Sequence, residues 1–306
     1  MTSKSENPKI AAIGASSMVG SRYSELAQGS LDLVKADLSG EIQVDITSAA
    51  SAYEFFKEFD FSHVILFSAF TDVDAAEKQR DKKNDSCWKI NVEGVKNIVR
   101  ACIKYQRKLI FISTDFVFDG ANGPYQEDDQ PGPNMDLVSW YGITKIEAEK
   151  FIHKFLPSAL IIRIAYPYRA KYEGKDDIVK KILRLYREKK LYAMFSDQTF
   201  TPTFIDDLAA TIALLIKKDQ EGIYHVASPE PTTLYAFAKH LIAIFGGDPK
   251  EVEEGTLSEF LKTDYATPRP VNGGLKVEKI SSLGFVPTTW QKGIEIIRDQ
   301  SNGQLI

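Results

Sequence analysis

The sequence of 306 residues contains little of what defines several large classes of protein. It has two cysteines, Cys87 and Cys102, which are not in metal-ligand spacing, and four histidines scattered along the chain. This composition argues against a disulfide scaffold and against a metal site built from cysteine or histidine. We therefore expect no metal, and a reducing cytoplasm is the simplest location.

Long apolar runs and a strong excess of one charge are also missing. No apolar run reaches the roughly 18 to 20 residues that a membrane helix needs, and the opening MTSKSENP lacks the apolar core of a signal peptide. The formal net charge is -4, so nucleic acid or an anionic membrane would meet no strong basic field. We expect neither as a partner, and the length is sufficient for one large or two modest domains.

What is present is an alternation of short apolar runs and amphipathic helical stretches through the first half. Continuous hydrophobicity in the runs indicates strands that are covered on both faces. Strand followed by helix followed by strand predicts an α/β fold with a doubly wound parallel sheet, that is, a Rossmann-like fold. The predicted strands are 9–14, 31–37, 63–70, 108–114 and 159–167, and the helices between them are 18–29, 51–59, 90–106 and 140–155.

This regularity loosens after residue 165, where aromatic and Pro-rich loops become common. One further strand, 222–228, lies between the helices 204–218 and 234–245. We predict an NAD(P)-binding Rossmann domain over residues 1–165, completed by the later strand. Residues 166–306 are predicted to form a smaller substrate-binding region that is interleaved with the first.

The first strand runs directly into GASSMVG and then into a helix. In a doubly wound sheet this turn places backbone N–H groups and a helix N-terminus against a pyrophosphate, and glycine permits close approach. Two glycines in a turn are weak evidence by themselves, but the position of this turn at the first strand-to-helix junction favours dinucleotide binding. The cofactor-binding residues predicted here are Gly14, Ser16, Ser17, Met18, Val19 and Gly20.

The second strand ends at Asp37, about twenty residues further on, where a carboxylate can accept hydrogen bonds from an adenosine ribose. A 2′-phosphate would be repelled there, so the cofactor is NAD or NADP with NAD favoured. Lys35 and Arg22 weaken this preference, and the alternative is a solvated aspartate at a strand end. Asp45 and Ile46 are predicted to flank the adenine.

A tyrosine stands four residues before a lysine at four places: Tyr53 and Lys57, Tyr141 and Lys145, Tyr186 and Lys190, and Tyr235 and Lys239. Spacing alone therefore identifies no proton-transfer pair. Ligands of such a sheet bind outside the carboxyl ends of the strands. Only Tyr141 begins a helix directly after a central strand, so surface or core packing is the better interpretation of the other three pairs.

Residues four apart on a helix share a face, so Lys145 is expected to approach the Tyr141 phenol and lower its pKa toward neutrality. Thr114, at the end of the preceding strand, would hydrogen-bond the substrate oxygen. Thr114, Tyr141 and Lys145 would then transfer a proton to a carbonyl oxygen while nicotinamide delivers hydride to the carbon.

With these residues in place, the chain resembles the extended short-chain dehydrogenase/reductases and, within them, the dTDP-4-dehydrorhamnose reductase family. The resemblance implies that Thr114, Tyr141 and Lys145 are the catalytic triad and that Asn91 braces the site. It also implies that the strand-end loop of Ser68, Ala69 and Phe70 lies along the cofactor. Further cofactor contacts are expected from Asn91, Tyr141, Lys145 and Tyr166. The segments that carry it are FSAFTDVDAAE (67–77), INVEGVKNIV (90–99), STDFVFDG (113–120), YGITK (141–145), SDQTFTPTFIDDLA (196–209), GIYHVAS (222–228) and PRPVNGGL (268–275).

The chain departs from the family pattern at Ser17, Phe200 and Gly273, where glycine, glycine and serine are usual. The last two lie in the substrate region. The residues expected to meet the substrate are Thr71, Val73, Asp115, Phe116 and Arg269; for Arg269, contact with a nucleotide diphosphate and a structural ion pair are both open.

Related sugar-nucleotide dehydratases have an Asp-Glu pair after the threonine, whereas this chain has Asp115 and Phe116. Without the glutamate, elimination of water loses its general base, which favours simple reduction. The resemblance thus implies an NAD(P)H-dependent reductase of a 4-keto-6-deoxy sugar nucleotide, and a homodimer is a further expectation. The alternatives are an epimerase with the same triad and a non-catalytic regulatory subunit like that of methionine adenosyltransferase.

Overall fold

The computed structural model describes residues 8–28, 32–263 and 266–305. The opening residues 1–7, the predicted strand start at Leu31 and the predicted helix end at Gly29 lie outside the described residues. The strands are β1 Ile10–Ile13, β2 Leu33–Ala36, β3 His63–Leu66, β4 Lys108–Thr114, β5 Leu160–Ile164, β6 Met194–Phe195, β7 Thr199–Phe200, β8 Gly222–His225, β9 Thr232–Thr233 and β10 Glu254–Gly255. The helices are α1 Met18–Ala27, α2 Ala49–Glu58, α3 Val73–Glu77, α4 Ser86–Trp88, α5 Val95–Tyr105, α6 Trp140–Phe155, α7 Ile178–Arg187, α8 Asp207–Lys217, α9 Leu234–Ile244, α10 Leu257–Phe260, α11 Glu278–Ser282 and α12 Trp290–Gln300.

Six strands form one parallel sheet in the order β2-β1-β3-β4-β5-β8. The chain moves outward in opposite directions from β1, so the carboxyl ends of β1 and β3 form the crevice where ligands of such sheets bind. The predicted α/β doubly wound class is confirmed.

Helices cover both faces of this sheet, which is why its central strands are mostly apolar. All four residues of β1 are buried. Alternate residues point to opposite faces, so Ile10 and Ala12 pack with α1 and α8, while Ala11 and Ile13 pack with α2, α5 and α6. Two separate apolar layers thus fix the strand ends that carry the site.

A third apolar cluster lies entirely after residue 165. It joins α7, α9 and α12 around Tyr168, Phe200 and Phe237. The sequence analysis missed the short pairs β6–β10 and β7–β9, because two-residue strands carry no periodicity. It also missed α7 and α12, although both are amphipathic helices with one buried face. The division of the chain at residue 165 stays a prediction.

Several predicted elements are longer than the observed ones at the edge that faces the site. The predicted strand 63–70 ends at Leu66, and 159–167 ends at Ile164. The predicted helix 90–106 is part of a longer helical run that begins at Ser86 and includes a π-helical segment, Lys89–Gly94. Such segments often occur at functional sites. Among the described residues, no helix is both long and apolar enough to cross a bilayer.

Candidate active site

The glycine turn after β1 is tightly packed against the end of β3. Gly14 has φ +85, and a Cβ at this position would lie 2.5 Å from the backbone nitrogen of Ser68. A side chain is therefore excluded by both conformation and space. Position 17 does not require a glycine, because the φ of Ser17 is -62. The Ser17 hydroxyl also caps α1 by accepting a hydrogen bond from Gly20 N. The same hydroxyl donates to Gly14 O at 2.7 Å, so the serine closes the turn.

Asp37 is tied to this turn. Its Oδ2 accepts from the backbone nitrogen of Ser16 at 2.8 Å and from the Ser16 hydroxyl at 2.6 Å, and its Oδ1 accepts from Leu38 N at 2.8 Å. The carboxylate is therefore held against the turn that follows β1, and its predicted contact with a ribose stays a prediction. Met18 and Val19, the first residues of α1, pack on the sheet.

The two residues predicted to flank the adenine differ in their surroundings. The Asp45 carboxylate accepts from both the backbone and the hydroxyl of Thr47, at 2.9 and 2.7 Å. The Ile46 side chain is buried in the core, where a Cβ on Gly94 would come within 2.8 Å of it. Their part in adenine binding stays a prediction.

Asn91, within the π-helical segment, holds the loop that follows β3. Its Oδ1 accepts from Phe70 N at 2.8 Å, and its Nδ2 donates to Phe70 O at 3.0 Å. The same Nδ2 donates to the Thr144 hydroxyl on α6 at 3.0 Å. One buried amide thus links the loop of Ser68, Ala69 and Phe70 to the helix that carries Tyr141. Thr71 is exposed and Val73 begins α3, so both lie where this loop leaves the sheet.

Tyr141 is the second residue of α6, which is capped by the Ser139 hydroxyl. The helix starts close to the end of β4 because Gly142 packs directly on the chain: a Cβ there would lie 2.1 Å from Phe116 O. This contact brings the Tyr141 hydroxyl to Thr114, the last residue of β4, with which it interacts. Thr114 also donates to Asp115 Oδ1 at 3.2 Å.

Lys145 lies one turn further along α6 and is 2% exposed. Its Nζ donates to Ile112 O at 2.7 Å and lies 4.0 Å from the centre of the Phe111 ring. The structure therefore brings Tyr141 to Thr114 at the carboxyl end of β4 and holds Lys145 against Ile112, two residues earlier on the same strand.

The electrostatics of this group differ from the sequence expectation. Burial raises the pKa of Tyr141 above its usual value, a shift that the contact with Thr114 opposes and the Asp115 charge reinforces. Burial also lowers the pKa of Lys145 to about 7, although the charges of Glu149 and Cys87 act to raise it. The expected lowering of the phenol pKa by Lys145 is therefore wrong for this structure, because the cost of desolvating both charges dominates.

Asp115 and Phe116 form the wall of the same site. Asp115 is buried, and burial raises the pKa of its carboxyl to about 7. The Phe116 ring lies between two phenols, with its centre 6.0 Å from the ring centres of both Tyr141 and Tyr166. Tyr166 is predicted from the sequence to meet the cofactor. Its ring packs against Phe116 and Phe200, and its hydroxyl accepts a hydrogen bond from Gln198 Nε2.

Arg269 makes an ion pair with Asp74, at 2.7 Å between Nη2 and Oδ1. Its Nη1 is buried and has no hydrogen-bond partner among the described residues. Burial raises the pKa of the nearby Tyr192 hydroxyl, while the Arg269 charge acts to lower it and the Asp74 charge to raise it. One of the two interpretations left open for Arg269, the ion pair, is thus present in the structure.

Two contributors were not singled out from the sequence. Gln198 lies in the segment SDQTFTPTF that carried part of the resemblance, so a signal for it existed. Glu149 was missed because a glutamate on a helix is usually solvated, yet this one binds the buried Arg163 through two hydrogen bonds and accepts from Ser113. Among the described residues, no three His, Cys, Asp or Glu side chains are grouped as metal ligands.

Comparison with known proteins identifies the family. The model of the RmlD substrate binding domain matches residues 8–302. The chain belongs to this family. The predicted resemblance is therefore confirmed.

Members of the RmlD family with assigned names are similar over most of their length. The chain is 29% identical to dTDP-4-dehydrorhamnose reductase of Aggregatibacter actinomycetemcomitans over 300 residues, covering 93% of this chain and 96% of that protein. It is 31% identical to the Streptomyces griseus protein of the same name, covering 81% and 80% of the two chains.

Solved structures agree with this assignment. The crystal structure of dTDP-4-dehydrorhamnose reductase from Bacillus anthracis in complex with NADP superimposes with a TM-score of 0.85 at 27% identity, covering 96% of this chain and 100% of that one. The Thermus thermophilus UDP-glucose 4-epimerase complex with NAD gives a TM-score of 0.75 at 19% identity, covering 97% and 99%, and shares the fold.

Proposed function

We propose that this RmlD-family chain is an NAD(P)H-dependent oxidoreductase that reduces the keto group of a 4-keto-6-deoxy sugar nucleotide. The observation that supports the proposal is the contact of Tyr141 with Thr114 at the end of β4, with Lys145 held against Ile112 of the same strand. Relatives that align over nearly the full chain are named dTDP-4-dehydrorhamnose reductase.

The residues around the β1–β3 crevice fit a nicotinamide dinucleotide. The turn at Gly14 has no room for a side chain, and the N-terminus of α1 lies beside it. Backbone N–H groups at such a helix start suit a pyrophosphate. A nicotinamide bound here would supply the hydride. Ser17 and Gly20 keep the turn closed through their own hydrogen bonds, so the backbone N–H groups of Met18 and Val19 in the first turn of α1 would hold the pyrophosphate. Asn91 would keep the loop of Ala69 and Phe70 in place.

Tyr141 is suited to donate a proton to the keto oxygen. Burial keeps its phenol protonated at neutral pH, as a general acid requires. Thr114 would donate a hydrogen bond to the same oxygen once its hydroxyl proton turns away from Asp115 Oδ1. An ammonium on Lys145 would stabilise the phenolate that is left after proton transfer, because opposite charges interact strongly in a buried site.

The test is consumption of NADH or NADPH with dTDP-4-dehydrorhamnose, followed by the absorbance of the reduced nicotinamide. The proposal requires consumption in the wild type that is lost in Tyr141→Phe. Interconversion of sugars without net consumption, with stoichiometric NAD released on denaturation, would instead support the epimerase. Cofactor binding without turnover, with co-purification of a synthetase, would support the regulatory subunit.

We further propose that NADH is preferred over NADPH. Asp37 supports this preference, because its carboxylate lies beside Ser16 and would repel a 2′-phosphate. Initial rates at a series of NADH and NADPH concentrations give kcat/KM for each. A higher value for NADPH in the wild type, or an unchanged ratio in Asp37→Ala, would contradict the assignment.

A homodimer and a cytoplasmic location also stay predictions. On neighbouring helices α5 and α6, Ile103 and Phe155 are each 48% exposed, which is the kind of apolar surface that a second chain covers. Light scattering coupled to size exclusion should give twice the chain mass of 34.3 kDa. Cys87 and Cys102 are buried and free, which agrees with a reducing compartment.

A further inference from the structure

The start of α6, the helix that carries Tyr141, is held by a residue from a distant part of the chain. The first N–H groups of a helix have no acceptor within the helix. The Ser139 hydroxyl accepts from Gly142 N at 3.2 Å, but the N–H of Trp140, the first residue of α6, donates to Glu77 Oε2 at 2.8 Å. Glu77 is the last residue of α3 and lies 63 positions earlier. A tertiary contact therefore completes the N-terminus of α6.

Arg80 joins Glu77 in holding this helix start. Its Nε donates to Glu77 Oε1, and its Nη2 donates to Val138 O at 2.8 Å. Val138 directly precedes the Ser139 cap, and Trp140 directly follows it. Glu77 and Arg80 thus bind the backbone on both sides of the cap, and we call these two residues the α6 clamp. Their side chains are only 20% and 31% exposed, and hydrogen bonds to charged groups are stronger than neutral ones.

The charge of Glu77 also suits its position. The N-terminus of a helix carries a partial positive charge, so a carboxylate beside it is stabilising. The first turn of α6 contains no acidic residue of its own. Glu77 therefore supplies this charge from a separate element, and Arg80 orients the carboxylate by binding its other oxygen.

The clamp fixes the residue next to Tyr141. Trp140 is 2% exposed, and its ring stacks on Trp88 with 5.5 Å between ring centres. Its backbone and its ring are therefore both held. Because Tyr141 is the next residue, a shift of Trp140 would move the phenol relative to Thr114 at the end of β4.

The clamp also joins α6 to the loop that follows β3. The helix α3 directly follows this loop and is capped by Asp72, whose carboxylate accepts from Ala75 N at 2.9 Å. Asn91 joins the same loop to Thr144, one turn further along α6. The predicted cofactor loop and the helix of Tyr141 are thus connected at two levels, and Glu77 makes the connection at the helix start.

We propose that Glu77 is a positioning residue for proton transfer, which fixes the start of α6 and thereby sets the Tyr141 hydroxyl against the substrate oxygen. It acts through the backbone of Trp140. The inference rests on the proposed function for the reaction that this position serves.

The test compares Glu77→Ala with wild type in steady-state kinetics. We expect kcat for dTDP-4-dehydrorhamnose to fall roughly 10- to 100-fold, since a small misplacement of a reacting group costs this much. KM for the sugar nucleotide and for NADH should stay within about twofold, because binding does not use the Tyr141 proton.

Glu93→Ala is the matched control. Glu93 also pairs with a cation three residues later, Lys96 at 2.8 Å, and also accepts from a tryptophan N–H, the Trp88 Nε1 at 3.2 Å. It makes these contacts within its own helical run and not with α6, so kcat should stay within about twofold of wild type.

Glu77→Gln and hydrogen exchange test the contact itself. The glutamine keeps an oxygen that can accept from Trp140 N, so kcat should recover to within about fivefold of wild type. Exchange at the Trp140 amide, measured by NMR without substrate, should be roughly 5- to 10-fold faster in Glu77→Ala, the effect of one hydrogen bond. It should be close to wild type in Glu77→Gln and in Glu93→Ala.

An unchanged kcat in Glu77→Ala would overturn the inference, as would an equal loss in Glu93→Ala or a loss confined to KM. A Glu77→Gln variant as slow as Glu77→Ala would also overturn it. Absence of turnover in a wild type whose Trp140 amide is protected by Glu77 would overturn the proposed function and leave the contact between Glu77 and α6 standing.

Discussion

Two tyrosine-lysine pairs with identical spacing lie on α6 and α9, and they differ in an unexpected way. On α9, the Lys239 Nζ is 3.4 Å from the Tyr235 hydroxyl and 4.9 Å from its ring centre. On α6, Lys145 instead donates to Ile112 O and sits over Phe111. The pair that makes the direct contact is the one far from the cofactor crevice. Contact within a pair is therefore a poor guide to chemistry, and the surroundings decide.

Those surroundings differ in burial and in what approaches the phenol. Tyr141 has Thr114 and Asp115 beside it, at the end of a central strand. Tyr235 is half-buried on a helix that packs into the third apolar cluster. Among the described residues, α9 takes part in no salt bridge, whereas α6 carries the buried Glu149. The α6 pair is embedded in a polar network and the α9 pair is not.

The largest expected difference between the two pairs is in catalysis. Tyr141→Phe should lower kcat/KM for the keto sugar by roughly 10²- to 10⁴-fold, the usual contribution of a general acid. Tyr235→Phe should leave it within about twofold, since substitutions away from the chemistry have small effects. Steady-state kinetics under identical conditions measure both. A comparable loss in Tyr235→Phe would show that the comparison is wrong.

The next effect is on the stability that α6 draws from its buried ion pair. Glu149 Oε2 lies 2.7 Å from Nη2 of Arg163, a residue with 0% exposure. Glu149→Gln leaves an uncompensated buried cation, so unfolding in urea should show a loss of about 3–5 kcal/mol. Glu147→Gln, which breaks the surface pair with Lys150 on the same helix, should cost under about 1 kcal/mol. Similar losses would mean that Arg163 finds another partner.

The sequence alone predicts the helix and strand that carry Tyr141, Lys145 and Thr114, but it does not predict the pKa shifts of Tyr141 and Lys145. The bounds of α6 and the end of β4 were predictable because apolar periodicity is local. Gln198 donates to Tyr166 across 32 residues and to Pro270 O across 72, and sequence periodicity predicts no such tertiary contact. The pKa directions of Tyr141 and Lys145 were also out of reach, since they depend on how deeply each group is buried.

The burial of Lys145 predicts a smaller, pH-dependent effect. Its pKa is lowered from 10.5 to about 7 in the folded chain, so between these values the unfolded chain binds the extra proton. Stability contributed by this residue should therefore rise with pH across that window. Melting temperatures of Lys145→Met relative to wild type, measured from pH 6 to 10, should show the largest advantage of the variant at low pH. An advantage that grows with pH would reverse the assigned cause.

The smallest expected effect is the coupling within the α9 pair itself. A half-exposed cation beside a phenol ring contributes about 0.5–1 kcal/mol, so a double-mutant cycle of Tyr235→Leu and Lys239→Met on stability should give a value in that range.

The same kind of cycle on turnover for Tyr141 and Lys145 should be strongly non-additive. If both residues act in one proton transfer, removing either one already loses most of the rate. Additive losses for Tyr141 and Lys145, together with coupling between Tyr235 and Lys239, would mean that direct contact and not location in the fold couples a tyrosine to its lysine. The contrast drawn between the α6 and α9 pairs would then be wrong.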